Sequence, residues 1–364
     1  MLCIFNKIQY KWISNKETRG VLKPDLYIHA GFHKTGTTAI QNFLNMNYKA
    51  LLRQGILYPL QIRKIFGKED YAHHRLARYF GFGGNKNLIV EVRKMIDSEY
   101  EIKDALWNEM NQSGIKSVVI SSEVFSEDFT GEKFENFLEL FSGFNVFLVY
   151  YIRRQDDYVI SHFKHAVTLL GHTNSIERMI NHKIIDYYKR VCRFSEHVRK
   201  ENIMVRVYDE IIKGRSVFED VLSCAGGSLN GSFKYPKPSQ SNRSLPNDYV
   251  ETMRICNAYF DQEELRIIRA KLVKSRSGRN SKEQSSLLSP QQRMQVVRDH
   301  HKSNLMVARE FLGRKELFSP EDMKINELLQ KHRLSAEGFI DIMSELKKTS
   351  IRQQLYSYFG RLIK

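Results

Sequence analysis

Four short runs of apolar and β-branched residues interrupt a chain whose apolar positions otherwise recur every three or four residues: Asp25 to Ala30, Lys116 to Ser121, Asn145 to Ile152 and Ile203 to Tyr208. Near-continuous apolar runs suit strands covered on both faces, and the helical periodicity between them supplies the crossovers. The pattern predicts an α/β fold with a central parallel β-sheet flanked by helices. The first run passes through Gly31 to Thr38 into Ala39, Ile40, Phe43 and Leu44, whose spacing puts an apolar stripe on one helix face. Strand, glycine turn and helix in that order form the expected frame of an anion site. From Gly226 to Asn247 the sequence turns to Gly, Ser, Asn and Pro, too polar to pack, and the α/β core is expected to end near residue 225. Beyond it Tyr249 to Leu272, Pro290 to Phe311 and Ala336 to Leu362 carry helical spacing, separated by a loop from Lys274 to Ser289. No internal repeat is visible.

Composition narrows the class. Of 364 residues 42% are hydrophobic, enough for a core, which excludes disordered, collagenous and coiled-coil chains. No stretch approaches the roughly 18 apolar residues of a spanning helix; Phe144 to Ile152, the greasiest run, is short and contains Asn145. The first 24 residues carry Lys7, Lys11, Lys16, Arg19 and Lys23 against Glu17, without the apolar block of a secretion signal, so a cytoplasmic location is expected. Cys3, Cys192, Cys224 and Cys256 form no C-x-x-C pair and read as reduced and structural. A formal net charge of +16 favours an anionic partner without choosing among nucleotide, acidic glycan, nucleic acid and lipid surface.

In Gly31-Phe32-His33-Lys34-Thr35-Gly36-Thr37-Thr38 the glycines stand five apart, as in the P-loop, but the lysine precedes the second glycine and Thr37 takes its place. A standard nucleotide triphosphatase is disfavoured. The segment still suits an oxyanion: Gly36 lets the backbone approach, the following helix lends its positive end, and Thr37 and Thr38 add hydroxyls beside the mobile charge of Lys34. The plain alternative is a tight βα turn with a solvated lysine. This stretch resembles the 5'-phosphosulfate-binding motif, K-[ST]-G-[ST]-[ST], of sulfotransferases that use 3'-phosphoadenosine-5'-phosphosulfate (PAPS). The resemblance implies that Lys34, Thr35, Gly36, Thr37 and Thr38 wrap the 5'-phosphosulfate, with Lys34 stabilising charge on the leaving phosphate.

A second segment, Tyr151 to Ser161, resembles the family's 3'-phosphate motif, an arginine at a strand end followed eight residues later by a serine, here Arg153 and Ser161. Two helical turns separate them, so both can converge on one phosphate. Arg154 is the alternative arginine, and an Arg-Asp surface network is the alternative without a ligand. Ser121-Ser122-Glu123, Val205 to Glu210, Asn242 to Leu245 and Ser303 to Phe318 look like bacterial members that act on carbohydrates. The resemblance covers roughly Asp25 to Phe318, which implies a basic segment at 1–24, a sulfotransferase domain at 25–318 and a helical tail at 319–364. The implied cofactor is PAPS and the implied partner a carbohydrate or glycolipid acceptor, with anionic ones favoured by charge. Oligomeric state is not legible.

Sulfuryl transfer by in-line attack needs no metal in this family, and no H-E-x-x-H or comparable spacing appears. Catalysis then rests on positioning, on Lys34, and on a general base. Related enzymes use a histidine or a glutamate, and no motif transfers the role here. His73 and His74 lie between the phosphate helix and the second predicted strand, and histidine titrates in a useful range. Glu123 follows a predicted strand at its carboxyl end, where ligands bind in open α/β sheets. His33, inside the turn, reads as a packing residue. The basic run Lys271 to Lys282 is expected to be either a solvated loop or a flexible segment that closes over the 3'-phosphate or guides an anionic glycan through Arg276 and Arg279. The apolar stripe of Ala336 to Lys364, flanked by basic residues, suits docking on the protein or peripheral contact with the inner face of an anionic membrane. The competing functions are a P-loop-like phosphotransferase and a non-enzymatic polyanion-binding protein; no specific nucleic-acid module is present.

Overall fold

The structure, a computed structural model, describes residues 23–32, 34–67, 71–111, 114–127, 129–180, 185–237, 245–275 and 285–318, with 330, 331, 334 and 342. Within these the chain forms two compact units, divided as Met1–Ile152, Tyr188–Pro236 and Glu310–Gly313 for the first, and Arg153–Tyr187, Lys237–Arg309 and Arg314–Lys364 for the second.

The first unit holds a five-stranded parallel sheet of order β2-β3-β1-β4-β5, with β1 at Asp25–His29, β2 at Ile56–Leu57, β3 at Ser117–Ser121, β4 at Asn145–Ile152 and β5 at Ile203–Val207. Four of these strands are the apolar runs of the sequence. The fifth, β2, is two residues long and sits at an edge, too short for periodicity to reveal. The central β1 is flanked by β3 and β4, with His29 in register with Ser121 on one side and Val149 on the other. Successive side chains leave opposite faces. Tyr27, Val119, Val149 and Tyr151 join Ile40, Phe43 and Leu44 in one core. The alternate residues Leu26, Ile28, Ile120 and Tyr150 are equally buried, and Tyr150 meets Phe194 in an aromatic cluster with Phe134, Phe137 and Phe125.

The helix α1, Thr37–Met46, lies on the first of these faces because its 3–4 spacing gives it a single apolar stripe. Phe43 is fully buried and stacked on Phe218 at 4.6 Å and Phe233 at 5.6 Å. Truncating such a side chain costs about 3–5 kcal/mol, so α1 is firmly held. A short helix α2, His74–Tyr79, follows β2. In the second unit α3, Gln155–Leu170, buries Val159, Phe163, Ala166 and Val167 and ends at the left-handed Gly171. It packs against helices Asn247–Cys256 and Pro290–Asp299.

Two helical stretches expected to be continuous are each split. Tyr249 to Leu272 becomes Asn247–Cys256 and Gln262–Ser275, and Pro290 to Phe311 becomes Pro290–Asp299 and His301–Phe311. Ser289 and Gln292 form a capping box that starts the third of these. Among the described residues no helix is long and apolar enough to cross a membrane. The stretch Ala336 to Lys364 and most of the first 24 residues lie outside the described residues.

Candidate functional site

The turn from Gly31 to Thr38 grows directly out of the sheet. Pairing of β1 with β4 continues past His29, as Ala30 N donates to Val149 O at 3.1 Å and Phe32 N to Tyr151 O at 3.1 Å. The chain then reverses through two left-handed residues, Lys34 at φ 69 and Gly36 at φ 77. Glycine adopts that conformation freely, but a residue with a Cβ gives up about 1–2 kcal/mol. Lys34 is the single non-glycine residue with positive φ among those described. Between them Thr35 is fully buried, with its N–H and its hydroxyl both donating to Phe32 O at 3.2 and 2.5 Å. Its hydroxyl therefore ties the turn together, and Thr35 offers an anion its position in the loop rather than its side chain.

Alternating left-handed residues curl successive N–H groups towards one side, the arrangement of an anion nest. The turn feeds α1, whose N-terminus has no side-chain cap and no acidic residue in its first turn. Its first N–H groups are therefore open to an incoming anion. Crowding fixes the glycines as well: a Cβ on Gly31 would stand 2.6 Å from both His29 Nε2 and Thr37 Cγ2, and one on Gly36 would stand 3.1 Å from the ring of Tyr208. Tyr208, which opens the helix Tyr208–Gly214 directly after β5, thus borders the turn.

At the carboxyl end of β3 stands the acid–base cluster. Ser122 N donates to His29 O at 3.1 Å, which fixes the chain as it leaves the strand. His74, at the start of α2, is hydrogen-bonded through Nδ1 to Ser122 Oγ at 2.7 Å, and its Nε2 lies 3.7 Å from Glu123 Oε2. Gln41 of α1 donates from Nε2 to the same Glu123 oxygen at 3.0 Å. His74 and Glu123 are about one-quarter and one-fifth exposed, enough to meet a ligand. Burial lowers the proton affinity of Lys34, and the negative charge of Glu123 opposes that loss, so lysine and carboxylate act on each other. His29 is enclosed beside them, bonded through Nδ1 to Ser121 Oγ at 2.7 Å; burial lowers its pKa to about 4, against the pull of Glu123, and keeps it neutral. Two of the candidate bases, His74 and Glu123, thus form one pair, and Lys34 belongs to the same cluster.

The third candidate base is ruled out by its surroundings. His73 is 1% exposed, hydrogen-bonded through Nε2 to Pro59 O at 3.1 Å, and accepts from Ser121 N through Nδ1 at 3.2 Å. With both ring nitrogens engaged in the fold and its pKa held well below the usual range by burial and by Arg63, it ties α2 to β3.

In the second unit the two arginines after β4 separate by role. Arg154 is 8% exposed and lies bidentate on Asp156, Nε to Oδ1 at 2.6 Å and Nη2 to Oδ2 at 2.8 Å. Arg293 completes the cluster on Asp156 and Asp157, each at 2.6 Å. Burial pushes the Asp156 carboxyl up, and the Arg154 and Arg293 guanidiniums outweigh it and hold the group ionised. Arg154 is therefore held bidentately by a buried carboxylate. Arg153 is anchored by its backbone, Tyr187 OH donating to Arg153 O at 2.5 Å, and Ser161 lies half-buried on α3. His33, Arg276 and Arg279 lie outside the described residues. Among the described residues no group of three or more His, Cys, Asp or Glu is placed to hold a metal ion.

Gln41, His29 and Tyr208 were not singled out from the sequence. Gln41 carried a faint signal, a polar residue inside the apolar stripe of α1. His29 and Tyr208 stand at strand ends, and nothing in their spacing distinguishes them from packing residues.

No protein-family model matches the chain. It is 24% identical over 226 residues to an uncharacterized protein of Archaeoglobus fulgidus, covering 60% of this chain and 60% of that relative's length. Among solved structures, a sulfotransferase from Alicyclobacillus acidocaldarius is similar with a TM-score of 0.36 and 16% identity, over 68% of this chain and 100% of that one. The sulfotransferase domain from the curacin biosynthetic pathway gives 0.37 and 10%, over 91% and 99%. Retinol dehydratase in complex with androsterone and the inactive cofactor PAP gives 0.28 and 15%, over 72% and 83%.

Proposed function

We propose that this chain is a sulfotransferase that moves the sulfuryl group of PAPS to a hydroxyl of a carbohydrate acceptor. The observation that carries the reading is that an anion-binding turn with a lysine in it and a histidine–carboxylate pair lie within electrostatic reach of each other, both at the carboxyl edge of one parallel sheet. That edge is where open α/β sheets bind ligands. The match of Lys34 to Thr38 with the 5'-phosphosulfate motif supplies the identity of the anion, and the uncapped, acid-free start of α1 suits that group. When bound, PAPS would supply a sulfuryl group attached to a phosphate leaving group.

In this reading the acceptor oxygen forms a new bond to sulfur while the bond from sulfur to the bridging phosphate oxygen breaks, and the acceptor's proton passes to the His74–Glu123 pair. His74 Nε2 and Glu123 Oε2 stand 3.7 Å apart, so the base function is assigned to the pair. Lys34 meets the charge that gathers on the departing oxygen, and the N–H groups of the turn hold the phosphate without having to reorganise. Arg153 and Ser161 take the 3'-phosphate. A carbohydrate acceptor is favoured by the resemblance of the segments around Ser121 to Glu123 and Ser303 to Phe318, and the net charge of +16 suits an anionic one.

Calorimetric titration with 3'-phosphoadenosine-5'-phosphate, with 5'-AMP and ATP as controls, tests the proposal on the wild type and on Arg153→Ala. Tight binding that depends on the 3'-phosphate and fails in the variant is expected. Equal affinity for 5'-AMP, or preference for ATP with magnesium, overturns it.

A further inference from the structure

Glu123 is within electrostatic reach of Lys34, and its Oε2 lies 3.7 Å from Nε2 of His74. From β1 the buried, neutral His29 also senses its charge. A glutamate side chain has several rotatable torsions and keeps one position beside a histidine only where its neighbours fix it.

The restraint comes from α1. Gln41 lies four residues after Thr37, one helical turn deeper on the same face, and is 3% exposed. Its amide Nε2 donates to Glu123 Oε2 at 3.0 Å, the same oxygen that faces His74. The His74 ring is held from its other side by Ser122 Oγ at 2.7 Å, so both members of the pair are fixed by neutral donors or acceptors. The helix itself is immobilised by Phe43 two positions on.

We propose that Gln41 is a positioning residue: it clamps the Glu123 carboxylate beside His74, so that the helix whose N-terminus faces the phosphate also sets the base. The inference rests on the sulfotransferase reading for its purpose, but its physical content, a carboxylate held next to His74 by an amide, stands without it.

The test uses full-length protein and no acceptor. The His74 imidazole is followed by NMR at fixed pH in wild type, Gln41→Met, Gln41→Leu and Glu123→Gln, with His74→Gln to assign the resonance. Methionine keeps the length of glutamine and removes the donor, which guards against a variant that fails to fold. Loss of the carboxylate neighbour in Glu123→Gln is expected to shift the His74 Nε2 resonance, and both Gln41 variants are expected to reproduce most of that shift. A His74 resonance that stays at the wild-type position in Gln41→Met, whether or not Glu123→Gln moves it, overturns the role. Titration of the same samples with 3'-phosphoadenosine-5'-phosphate separates the two claims: a wild type that ignores the nucleotide sinks the sulfotransferase reading and leaves the His74 result to decide Gln41. Where PAPS turnover is measurable, removing the clamp should lower kcat about 10- to 100-fold, the weight of one hydrogen bond to a charged group, with the donor KM little changed.

Discussion

Lys34 holds a backbone conformation that costs a lysine about 1–2 kcal/mol and costs glycine nothing, and it does so at the centre of the phosphate turn. Strain of this kind persists where the surroundings impose it, and here the side chain it presents is the one the proposed chemistry needs. The two contributions can be separated. Lys34→Gly and Lys34→Ala should lose sulfuryl transfer to the same degree, by orders of magnitude, because both remove the ammonium. Thermal or urea denaturation should find the glycine variant more stable than the alanine variant by about 1 kcal/mol, since only alanine keeps a Cβ at positive φ. Equal stabilities would mean that the turn is relaxed in solution. At this scale the turn was legible in the sequence because its chemistry is local: five consecutive residues carry it. The pairing of His74 with Glu123 was not, because they lie 49 positions apart in the chain, and the sequence also offered His73 beside His74. What divides the two neighbouring histidines is burial, His73 turned into the fold and His74 towards Glu123.

Among the elements, the strand–turn–helix unit and four of the five strands follow from hydrophobic runs. β2 does not, since a two-residue edge strand pairs with only one neighbour and needs no apolar period. The helical breaks near residue 257 and at His300 were likewise hidden, because apolar spacing can continue across a short interruption. The start of α3 shows the same limit more sharply: Arg153 and Arg154 are adjacent and chemically identical, and only the position of Asp156 assigns them. Arg154→Ala should lower stability by about 2 kcal/mol, with Arg293 still compensating the buried carboxylate, and leave nucleotide affinity near normal. Arg153→Ala should do the reverse in denaturation and calorimetry run side by side. If Arg154→Ala abolished nucleotide binding without loss of stability, the roles would have to be exchanged.

For the whole molecule, two enclosed neutral histidines predict acid sensitivity. The folded-state pKa of His29 is lowered to about 4 by burial, and that of His73 lies well below the usual range for the same reason. The folded protein therefore binds fewer protons than the unfolded chain, whose histidines titrate near 6.5. The stability these groups contribute is fully present above that value and is lost as pH falls towards 4, by up to about 3 kcal/mol for His29. Urea midpoints at pH 7 and pH 4.5 should differ accordingly, and His29→Asn should flatten the dependence even if it lowers both midpoints. An equally steep dependence in the variant would place the acid-labile group elsewhere.

Taken by itself, the sequence determined the α/β class and the strand, glycine turn and helix that follow one another from Asp25, because hydrophobic runs and a short local motif act over distances the chain's own order preserves. Only the tertiary structure decided which histidine meets Glu123, which arginine is spent on Asp156, and that Gln41 reaches across from α1 to the end of β3. The last depends on strand order, since placing β1 beside β3 brings the helix after β1 to the end of β3, and the first two depend on burial and local contacts, which fix what each of two neighbouring groups meets.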